Sequence, residues 1–278
     1  MMRSKIKTFS RLLRVGQWYK NLLIFTPALF SSNALYPWQL LVGFFGFCCI
    51  SSITYIFNDW IDRGKDRLHP LKKARPLASG KVTGKQALLA AFLLSIVVLF
   101  SIWQLGSFYG WILMIYFVLT NLYSLGLKNI PLVDILMISV NFSLRMLAGM
   151  MSFPNTSDLG YFGLLTGVIL ILLTHKRSAD IKLLGERAIQ HKPVLKYYTP
   201  GYNYFYRSLA YILVLFSAYL LWQGGWPAYR TIGFYLQLMV TSFILSKNPE
   251  YTSVPQNLFR SKIWTACLLG NLIIGIVY

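Results

Sequence analysis

The chain has 278 residues, of which 56% are hydrophobic, 16% aromatic and only 13% charged, and its mean hydropathy is +0.53. Soluble domains carry about 25% charged residues, so this composition excludes a soluble enzyme, a disordered tail and a disulfide scaffold, and it indicates a membrane protein. The 27 Lys and Arg residues outnumber the 8 Asp and Glu residues, which gives a formal net charge of +19. In a membrane protein this excess is typical of cytoplasmic loops rather than of nucleic-acid binding.

Long uncharged stretches predict nine transmembrane helices. Residues 21–58 and 86–127 contain no Asp, Glu, Lys or Arg, and each stretch is long enough for two helices. Five further apolar stretches each predict one helix: residues 132–153, 159–175, 208–229, 231–246 and 263–278. We number these helices in chain order as spans one to nine. The sequence therefore predicts an all-α, polytopic helical bundle, with residues 1–278 forming a single transmembrane domain.

The basic residues determine the predicted orientation. With nine spans and a cytoplasmic N-terminus, 25 of the 27 basic residues lie on the inner side. The two exceptions are Arg230, which lies outside, and Arg145, which lies within span five. Because cytoplasmic loops accumulate Lys and Arg, we predict an integral protein of the inner (plasma) membrane. Its N-terminus and its polar site would face the cytoplasm, and its C-terminus would lie outside.

Three aspartates follow the second predicted span in helical register. Asp59, Asp62 and Asp66 lie at positions i, i+3 and i+7, and Asn58 precedes Asp62 by four residues, so a continuing helix places them on nearly one stripe. Three like charges beside hydrocarbon are unfavourable, and Mg²⁺ binds a few carboxylates together with water and substrate phosphates. The pattern predicts a Mg²⁺ site with these four residues as ligands. The alternative is a charged interfacial turn that is paired with the neighbouring cations.

A basic segment with two prolines, residues 67–80, follows the aspartates. The prolines prevent a simple continuation of the helix. Fixed Lys and Arg side chains next to a metal suit a diphosphate, because the metal and the basic groups share its oxygens. Alone, the segment is typical of an ordinary cytoplasmic loop; beside the aspartates, it predicts a site for a metal–diphosphate complex.

These residues resemble the UbiA superfamily of intramembrane prenyltransferases, whose first signature, Asn-Asp-x-x-Asp-x-x-x-Asp, is matched in full at residues 58–66. Within the superfamily the chain is most similar to the decaprenyl-phosphate phosphoribosyltransferase branch. The further stretches that carry this likeness are residues 17–21, 66–70, 75–80, 123–128 with Asp134, 144–149 and 175–180. Two departures stand out: Asp180 replaces the usual Glu of the branch, and the similarity after Asn248 is weak.

The resemblance implies a helical bundle around a central cavity that opens to the cytoplasm. It implies Mg²⁺-dependent transfer of 5-phosphoribose from phosphoribosyl pyrophosphate to a polyprenyl phosphate, with release of pyrophosphate. Asp59, Asp62 and Asp66 would then be the catalytic residues. The expected partners are these two substrates and the membrane; a homo-oligomer is compatible with the sequence, and no nucleic acid is expected.

The chemistry of this reaction calls for many cations. Departure of pyrophosphate gathers negative charge, which metal ions and fixed cations stabilise, whereas a lipid phosphate is already an anion and needs no strong base. The expected substrate-binding residues are Lys20, Asn21, Asn58, Arg67, Lys73, Arg75, Tyr123, Lys128, Arg145, Lys176, Arg177 and Asp180. Arg145 is notable because an arginine within a span usually faces a polar cavity; its alternative is a salt bridge with Asp134.

Two other functions remain open from the sequence. A related prenyltransferase would use the same aspartates to join a prenyl diphosphate to an aromatic or other small acceptor. A transporter or channel would use them as an ion site, but charge concentrated on one membrane face argues against a conduction path. For residues 176–180 the alternative to donor or second-metal binding is a charged helix end that reaches the membrane surface.

Overall fold

The computed structural model describes residues 2–29, 37–68, 72–150, 158–185, 187–225, 227–252 and 261–277. Within these ranges the chain is helical and contains no strand, which confirms the predicted all-α class. The α-helices are α1 (Met2–Leu12), α2 (Pro37–Ile61), α3 (Arg63–Leu68), α4 (Gly84–Leu105), α5 (Ser107–Leu125), α6 (Val133–Met150), α7 (Asp158–Leu184), α8 (Arg187–His191), α9 (Pro200–Gln223), α10 (Ala228–Lys247) and α11 (Lys262–Val277). Stretches of 3-10 helix cover Val15–Leu29, Lys72–Ala74, Leu127–Asn129, Pro193–Tyr197 and Pro249–Thr252.

In the described part of the chain, six helices are long and apolar enough to cross a membrane. They are α2, α4, α5, α6, α9 and the Gly160–Leu184 part of α7, and they correspond to predicted spans two to seven. The protein is therefore an integral membrane protein. The described part of span one is instead a 3-10 helix that contains Pro27, a residue that removes a backbone donor. Helices α10 and α11 occupy the positions of spans eight and nine, and the count of nine spans stays a prediction.

The chain divides into two compact units. The first unit comprises residues 1–125 and 144–155, and the second comprises residues 126–143 and 156–278. Helix α6 contributes residues to both units without a break. The single-domain assignment of residues 1–278 stays a prediction, and each unit is described separately below.

Helix α2 is the central helix of the first unit, and it packs against α4, α5 and the Val15–Leu29 segment. Gly46 permits this packing, because a Cβ there would lie 2.5 Å from the Ser101 hydroxyl of α4. The other faces of α4 expose large apolar side chains, including those of Leu88, Phe92 and Trp103. An apolar exposed surface of this kind fits a helix that contacts lipid on one side and protein on the other.

In the second unit, α7 packs closely along α9. Gly160, Gly163 and Gly167 line this contact, and a Cβ at these positions would come within 2.8, 2.3 and 2.5 Å of α9 side chains. Small residues let membrane helices approach closely and gain van der Waals contact. Helix α7 also packs against α10 and the Pro249–Thr252 segment, so α7 fixes the elements around it.

Candidate active site

The aspartate motif lies in the first unit, on a helix that continues from α2 into α3. Backbone bonds run from the Asp62 amide to the Asn58 carbonyl, at 2.9 Å, and from the Asp66 amide to the Asp62 carbonyl, at 2.8 Å. This confirms the helical register that the spacing predicts. Asp59 and Asp66 are each only 2% exposed, whereas Asp62 is partly exposed.

Two arginines contact the buried carboxylates, and we call Arg14, Asp59, Asp66 and Arg75 the aspartate cluster. Nη1 of Arg75 lies 3.1 Å from Oδ1 of Asp59 and 2.7 Å from Oδ2 of Asp66. Nη2 of Arg14 lies 2.6 Å from the same Asp59 oxygen, and its guanidinium carbon is 4.4 Å from the ring centroid of Tyr55. Both arginine side chains are 27% exposed, so the cluster has buried anions and solvent-accessible cations.

The donor set of the aspartate cluster suits a hard divalent cation, although the described residues do not form a metal site ready for occupation. Nowhere in the described ranges do three His, Cys, Asp or Glu side chains stand together as metal ligands. Asp59 and Asp66, however, each accept a hydrogen bond from the same nitrogen of Arg75, Nη1. Because both oxygens are hard ligands on one side of a helix, a Mg²⁺ ion taking the place of that nitrogen would find the ligand type it prefers. The metal assignment of Asn58, Asp59, Asp62 and Asp66 stays a prediction.

Asn58 and Arg67 form hydrogen bonds that connect the aspartate motif to neighbouring elements. Nδ2 of Asn58 donates to the Ser124 hydroxyl at 3.1 Å, which ties the end of α2 to α5. Nε of Arg67 donates to the Ala78 carbonyl at 3.2 Å, which supports the loop that carries Arg75. The remaining predicted substrate residues around the motif lie as follows: Lys73 is exposed in the Lys72–Ala74 turn, Tyr123 is partly buried on α5, and Lys20 is partly buried in the Val15–Leu29 segment.

The intramembrane arginine of α6 is bound by neutral groups of the first unit. Arg145 is 5% exposed. Its Nε donates to Oδ1 of Asn21 at 2.8 Å, and its Nη2 donates to the Tyr116 hydroxyl at 3.1 Å. The guanidinium carbon also lies 4.8 Å from the Tyr116 ring centroid. The structure thus brings together Asn21 and Arg145, two residues that the sequence analysis nominated separately.

A second buried charge cluster lies in the second unit, and we call Asp134, Arg177, Lys192 and Tyr198 the Asp134 cluster. Asp134 is fully buried. Its Oδ2 accepts from Nη2 of Arg177 at 2.8 Å and from Nζ of Lys192 at 2.9 Å, and its Oδ1 accepts from the Tyr198 hydroxyl. Arg177 also reaches Oδ2 of Asp180 at 3.6 Å. The Arg177 guanidinium is therefore already committed to two carboxylates.

Burial and neighbouring groups shift the pKa values of two members of the Asp134 cluster, Tyr198 and Lys192. Burial raises the pKa of Tyr198, and its hydrogen bond to Asp134 raises that pKa further, so the phenol stays a donor at neutral pH. Burial and the nearby Arg177 lower the pKa of Lys192, whereas Asp134 acts in the opposite direction. The Asp134 carboxylate bonds to the other three members of the cluster. These bonds hold Arg177 in place, and Arg177 in turn contacts Asp180. Lys128 and Lys176, the other nominated residues of this unit, are exposed.

Sequence reasoning missed three members of these clusters: Arg14, Lys192 and Tyr198. Arg14 belongs to a group of N-terminal basic residues that is typical of a cytoplasmic segment before a transmembrane helix. Its contact with Asp59 spans 45 positions of sequence, and its backbone is held at φ 50°, which is uncommon for a residue other than glycine. Lys192 and Tyr198 flank the short 3-10 helix Pro193–Tyr197, where no apolar periodicity marks them in the sequence.

Comparison with known proteins gives the chain its family. The model of the UbiA prenyltransferase family matches residues 22–265. The chain is 29% identical over 205 residues to a decaprenyl-phosphate phosphoribosyltransferase of Mycolicibacterium smegmatis, a match over 71% of this chain and 64% of that relative. It is 30% identical over 245 residues to one of Corynebacterium glutamicum, a match over 84% of this chain and 73% of that relative. The first match thus takes in less than two thirds of that relative's length.

Solved structures support the same fold. A digeranylgeranylglyceryl phosphate synthase superposes with a TM-score of 0.72 at 19% identity, over 98% of both chains. A UbiA homolog from Archaeoglobus fulgidus, bound to GPP and Mg²⁺, superposes with a TM-score of 0.55 at 16% identity, over 98% of this chain and 88% of that one. With its complete aspartate signature and a family match over most of its length, the chain belongs to the UbiA prenyltransferase family.

Proposed function

We propose that the protein transfers 5-phosphoribose from phosphoribosyl pyrophosphate to a polyprenyl phosphate and releases pyrophosphate, in a Mg²⁺-dependent reaction at the cytoplasmic side of the plasma membrane. The observation that carries this proposal is the aspartate cluster, in which two buried carboxylates meet accessible arginines. The relatives named decaprenyl-phosphate phosphoribosyltransferase support the choice of substrates. The UbiA homolog bound to GPP and Mg²⁺ supports the choice of metal.

Asp59, Asp62 and Asp66, together with the amide oxygen of Asn58, are the residues that would hold Mg²⁺. Bound there, the metal would supply positive charge to the diphosphate leaving group. Mg²⁺ usually keeps water and substrate phosphates among its ligands, and Asp62 is partly exposed to solvent.

The side chains of the cluster would bind the donor and offset charge. Arg14 and Arg75, each 27% exposed, would donate to the diphosphate oxygens, where negative charge accumulates as the bond from ribose C1 breaks. A phosphate oxygen of the lipid supplies the electron pair for the new C1–O bond, and pyrophosphate leaves with the pair of the old one. The nucleophile is an anion, so no side chain has to remove a proton.

Arg145 and Asn21 would act together in binding. Their mutual hydrogen bond and the Tyr116 hydroxyl hold the guanidinium in one orientation inside the first unit. An arginine within a span usually faces a polar cavity, so we assign Arg145 to an anionic group of a substrate. In the second unit, Lys128, Lys176 and Asp180 are the residues we assign to substrate phosphates or to a second metal. Arg177, which is paired with Asp134 and Asp180, would position Asp180 there.

A second candidate function is prenyl transfer to an aromatic or other small acceptor. The specific observation in its favour is that the Archaeoglobus homolog is bound to GPP, a prenyl diphosphate. The same aspartates would then bind a different diphosphate. The two candidates differ in the donor, which an assay distinguishes directly.

The decisive experiment compares donors on purified protein in detergent or nanodiscs. Radiolabelled phosphoribosyl pyrophosphate with polyprenyl phosphate is tested beside a prenyl diphosphate with 4-hydroxybenzoate, each with Mg²⁺ and with EDTA. We expect lipid-linked phosphoribose only in the first mixture with Mg²⁺. Product from the prenyl donor alone would replace this proposal with the second candidate, and equal turnover in EDTA would remove the metal from it.

A further inference from the structure

A cavity with both polar and apolar lining residues lies in the second unit, and Tyr198 of the Asp134 cluster is one of them. It is bounded by α7, α9, α10 and the start of the Pro249–Thr252 segment, and it has a volume of about 220 Å³. The polar side chains that matter for its chemistry are His175, Ser178, Lys182, Asn203, Arg207 and Ser246. This volume accommodates a small polar group rather than a whole substrate.

The cavity is electropositive. Lys182 and Arg207 both line it, and none of the described lining residues is Asp or Glu. Arg207 is partly buried, and its Nε makes only a long contact, 3.4 Å, with the Thr174 hydroxyl. Within the described ranges no carboxylate pairs with Arg207. A partly buried guanidinium without a carboxylate suits a phosphate, whose oxygens match its planar fork.

Asn203 indicates that a ligand of the cavity carries a hydrogen-bond donor. Its side chain is 6% exposed, and its Nδ2 donates to the Tyr198 carbonyl at 3.1 Å. Its Oδ1 has no hydrogen-bond partner in the described chain. Asn203 is one of the lining residues of the cavity and buried polar atoms are almost always bonded, so its Oδ1 would accept from a ligand that offers an O–H or N–H group.

An apolar groove continues from this cavity. It has a volume of about 530 Å³ and is more open, and it shares Tyr204, Arg207 and Ser246 with the cavity. Between α9 and α10 its walls include Tyr211, Tyr235, Met239 and Phe243. Both α9 and α10 expose large apolar side chains, so a hydrocarbon chain could enter the groove sideways from the bilayer.

We propose that this cavity and groove form a binding site for a bilayer phospholipid with an anionic, hydroxyl-bearing headgroup, of the phosphatidylglycerol type. The phosphate binds Arg207 and Lys182, a headgroup hydroxyl donates to Oδ1 of Asn203, and one acyl chain lies in the groove. The hydroxyl requirement favours this lipid over a polyprenyl phosphate, which carries no headgroup alcohol. The high local concentration of bilayer lipid makes occupancy the ordinary state of the site.

The test measures lipid binding to purified, delipidated protein, without donor and without turnover. Native mass spectrometry and thermal unfolding are recorded with phosphatidylglycerol and with phosphatidylcholine of the same acyl chains. Phosphatidic acid, polyprenyl phosphate and water-soluble glycerol 3-phosphate complete the series. The variants are Arg207→Gln, Lys182→Gln and Asn203→Leu, and Lys196→Gln, an exposed lysine outside the cavity, is the matched control.

We expect phosphatidylglycerol to bind about tenfold more tightly than phosphatidylcholine, and Arg207→Gln to remove most of that preference. Lys182 is exposed, so Lys182→Gln tests the contribution of positive charge to this preference without disturbing the fold. Asn203→Leu should reduce the preference of the protein for phosphatidylglycerol over phosphatidic acid. Equal binding of the two phospholipids, or charge variants that behave like Lys196→Gln, would overturn the site. Tighter binding of polyprenyl phosphate would overturn the lipid class, and equal binding of glycerol 3-phosphate would overturn the role of the groove. None of these results depends on the proposed phosphoribosyl transfer.

Discussion

The two charge clusters are built from the same elements in opposite ways. In the aspartate cluster, two buried carboxylates meet two arginines whose side chains are 27% exposed. In the Asp134 cluster, one fully buried carboxylate meets an arginine side chain that is only 6% exposed, and a lysine and a tyrosine complete its hydrogen bonds. Both clusters contain aspartate and arginine, but the arginines are accessible in the first cluster and buried in the second, where the Lys192 side chain is 24% exposed.

This difference helps to distinguish buried ion pairs that can bind a substrate from buried ion pairs that stabilise the fold. An ion pair that is closed by further hydrogen bonds has no capacity left for a substrate, and breaking it leaves an uncompensated buried charge. An ion pair with accessible cations can exchange partners when a polyanion arrives. We therefore expect substitutions in the aspartate cluster to affect activity first, and substitutions in the Asp134 cluster to affect stability first.

The largest effect is expected for Asp59→Asn. Loss of this carboxylate should lower kcat/KM by about a thousandfold, which corresponds to about 4 kcal/mol of transition-state stabilisation. The change in the midpoint of thermal unfolding should be small, because Arg14 and Arg75 keep contact with solvent. Mg²⁺ should raise the midpoint of the wild type but not that of the variant. Activity within tenfold of the wild type would contradict the metal assignment.

The next effect is expected for Asp134→Asn. This change removes the fully buried carboxylate that the buried Arg177 shares with the partly exposed Lys192, and breaking a buried pair costs about 3 to 5 kcal/mol. The measurement is the free energy of unfolding in detergent. Asp180→Asn is the control, since Asp180 contacts the same arginine at 3.6 Å with a side chain that is 26% exposed. If the two variants unfolded alike, the closed character of the cluster would be refuted.

A moderate effect is expected for Arg75→Gln. We expect KM for the donor to rise about thirtyfold, or about 2 kcal/mol, because a charge-assisted contact with the diphosphate is lost. Steady-state kinetics with varied donor measure this change. Lys81→Gln, which removes an exposed lysine from the same loop, should leave KM unchanged. A fall in kcat with an unaltered KM would mean that Arg75 positions Asp59 and Asp66 instead of binding donor.

The smallest effect is expected for Tyr198→Phe. The change removes a buried donor to Asp134 and an acceptor for the Leu132 amide, so it should cost about 1 to 2 kcal/mol of unfolding free energy. Tyr202→Phe, at an exposed position, is the control. Unfolding of the two variants at the same temperature would show that Tyr198 adds nothing to the Asp134 cluster.

The aspartate motif could be predicted because its information is local. The spacing of Asp59, Asp62 and Asp66 requires only that α2 continues past its apolar part, and the backbone bonds to residues 62 and 66 confirm this. Arg75 was also within reach of sequence reasoning, since it lies nine positions from Asp66. Arg14 was not, because its pairing depends on how the N-terminal segment packs against α2.

Helix ends were harder to predict than helix positions. The uncharged run of span six stops at residue 175, but α7 continues to Leu184. Span seven was predicted from residue 208, but α9 begins at Pro200, where Thr199 caps the helix by accepting from the Tyr202 amide. Lys and Arg side chains extend along apolar surfaces towards water, so the first charge marks where the hydrocarbon ends and not where the helix ends.

The glycines along α7 link two sites of the second unit, because a substitution at one of them would change the spacing of α7 and α9. A Cβ at Gly167 would lie 2.5 Å from a Val214 methyl group and 3.1 Å from the Ala210 carbonyl oxygen, so even alanine would force α7 and α9 apart. Helix α7 carries Arg177, and helix α9 carries Arg207. One added methyl group at Gly167, ten residues before Arg177 and in contact with the α9 turns that follow Arg207, would thus shift the geometry of the Asp134 cluster and the phospholipid site together.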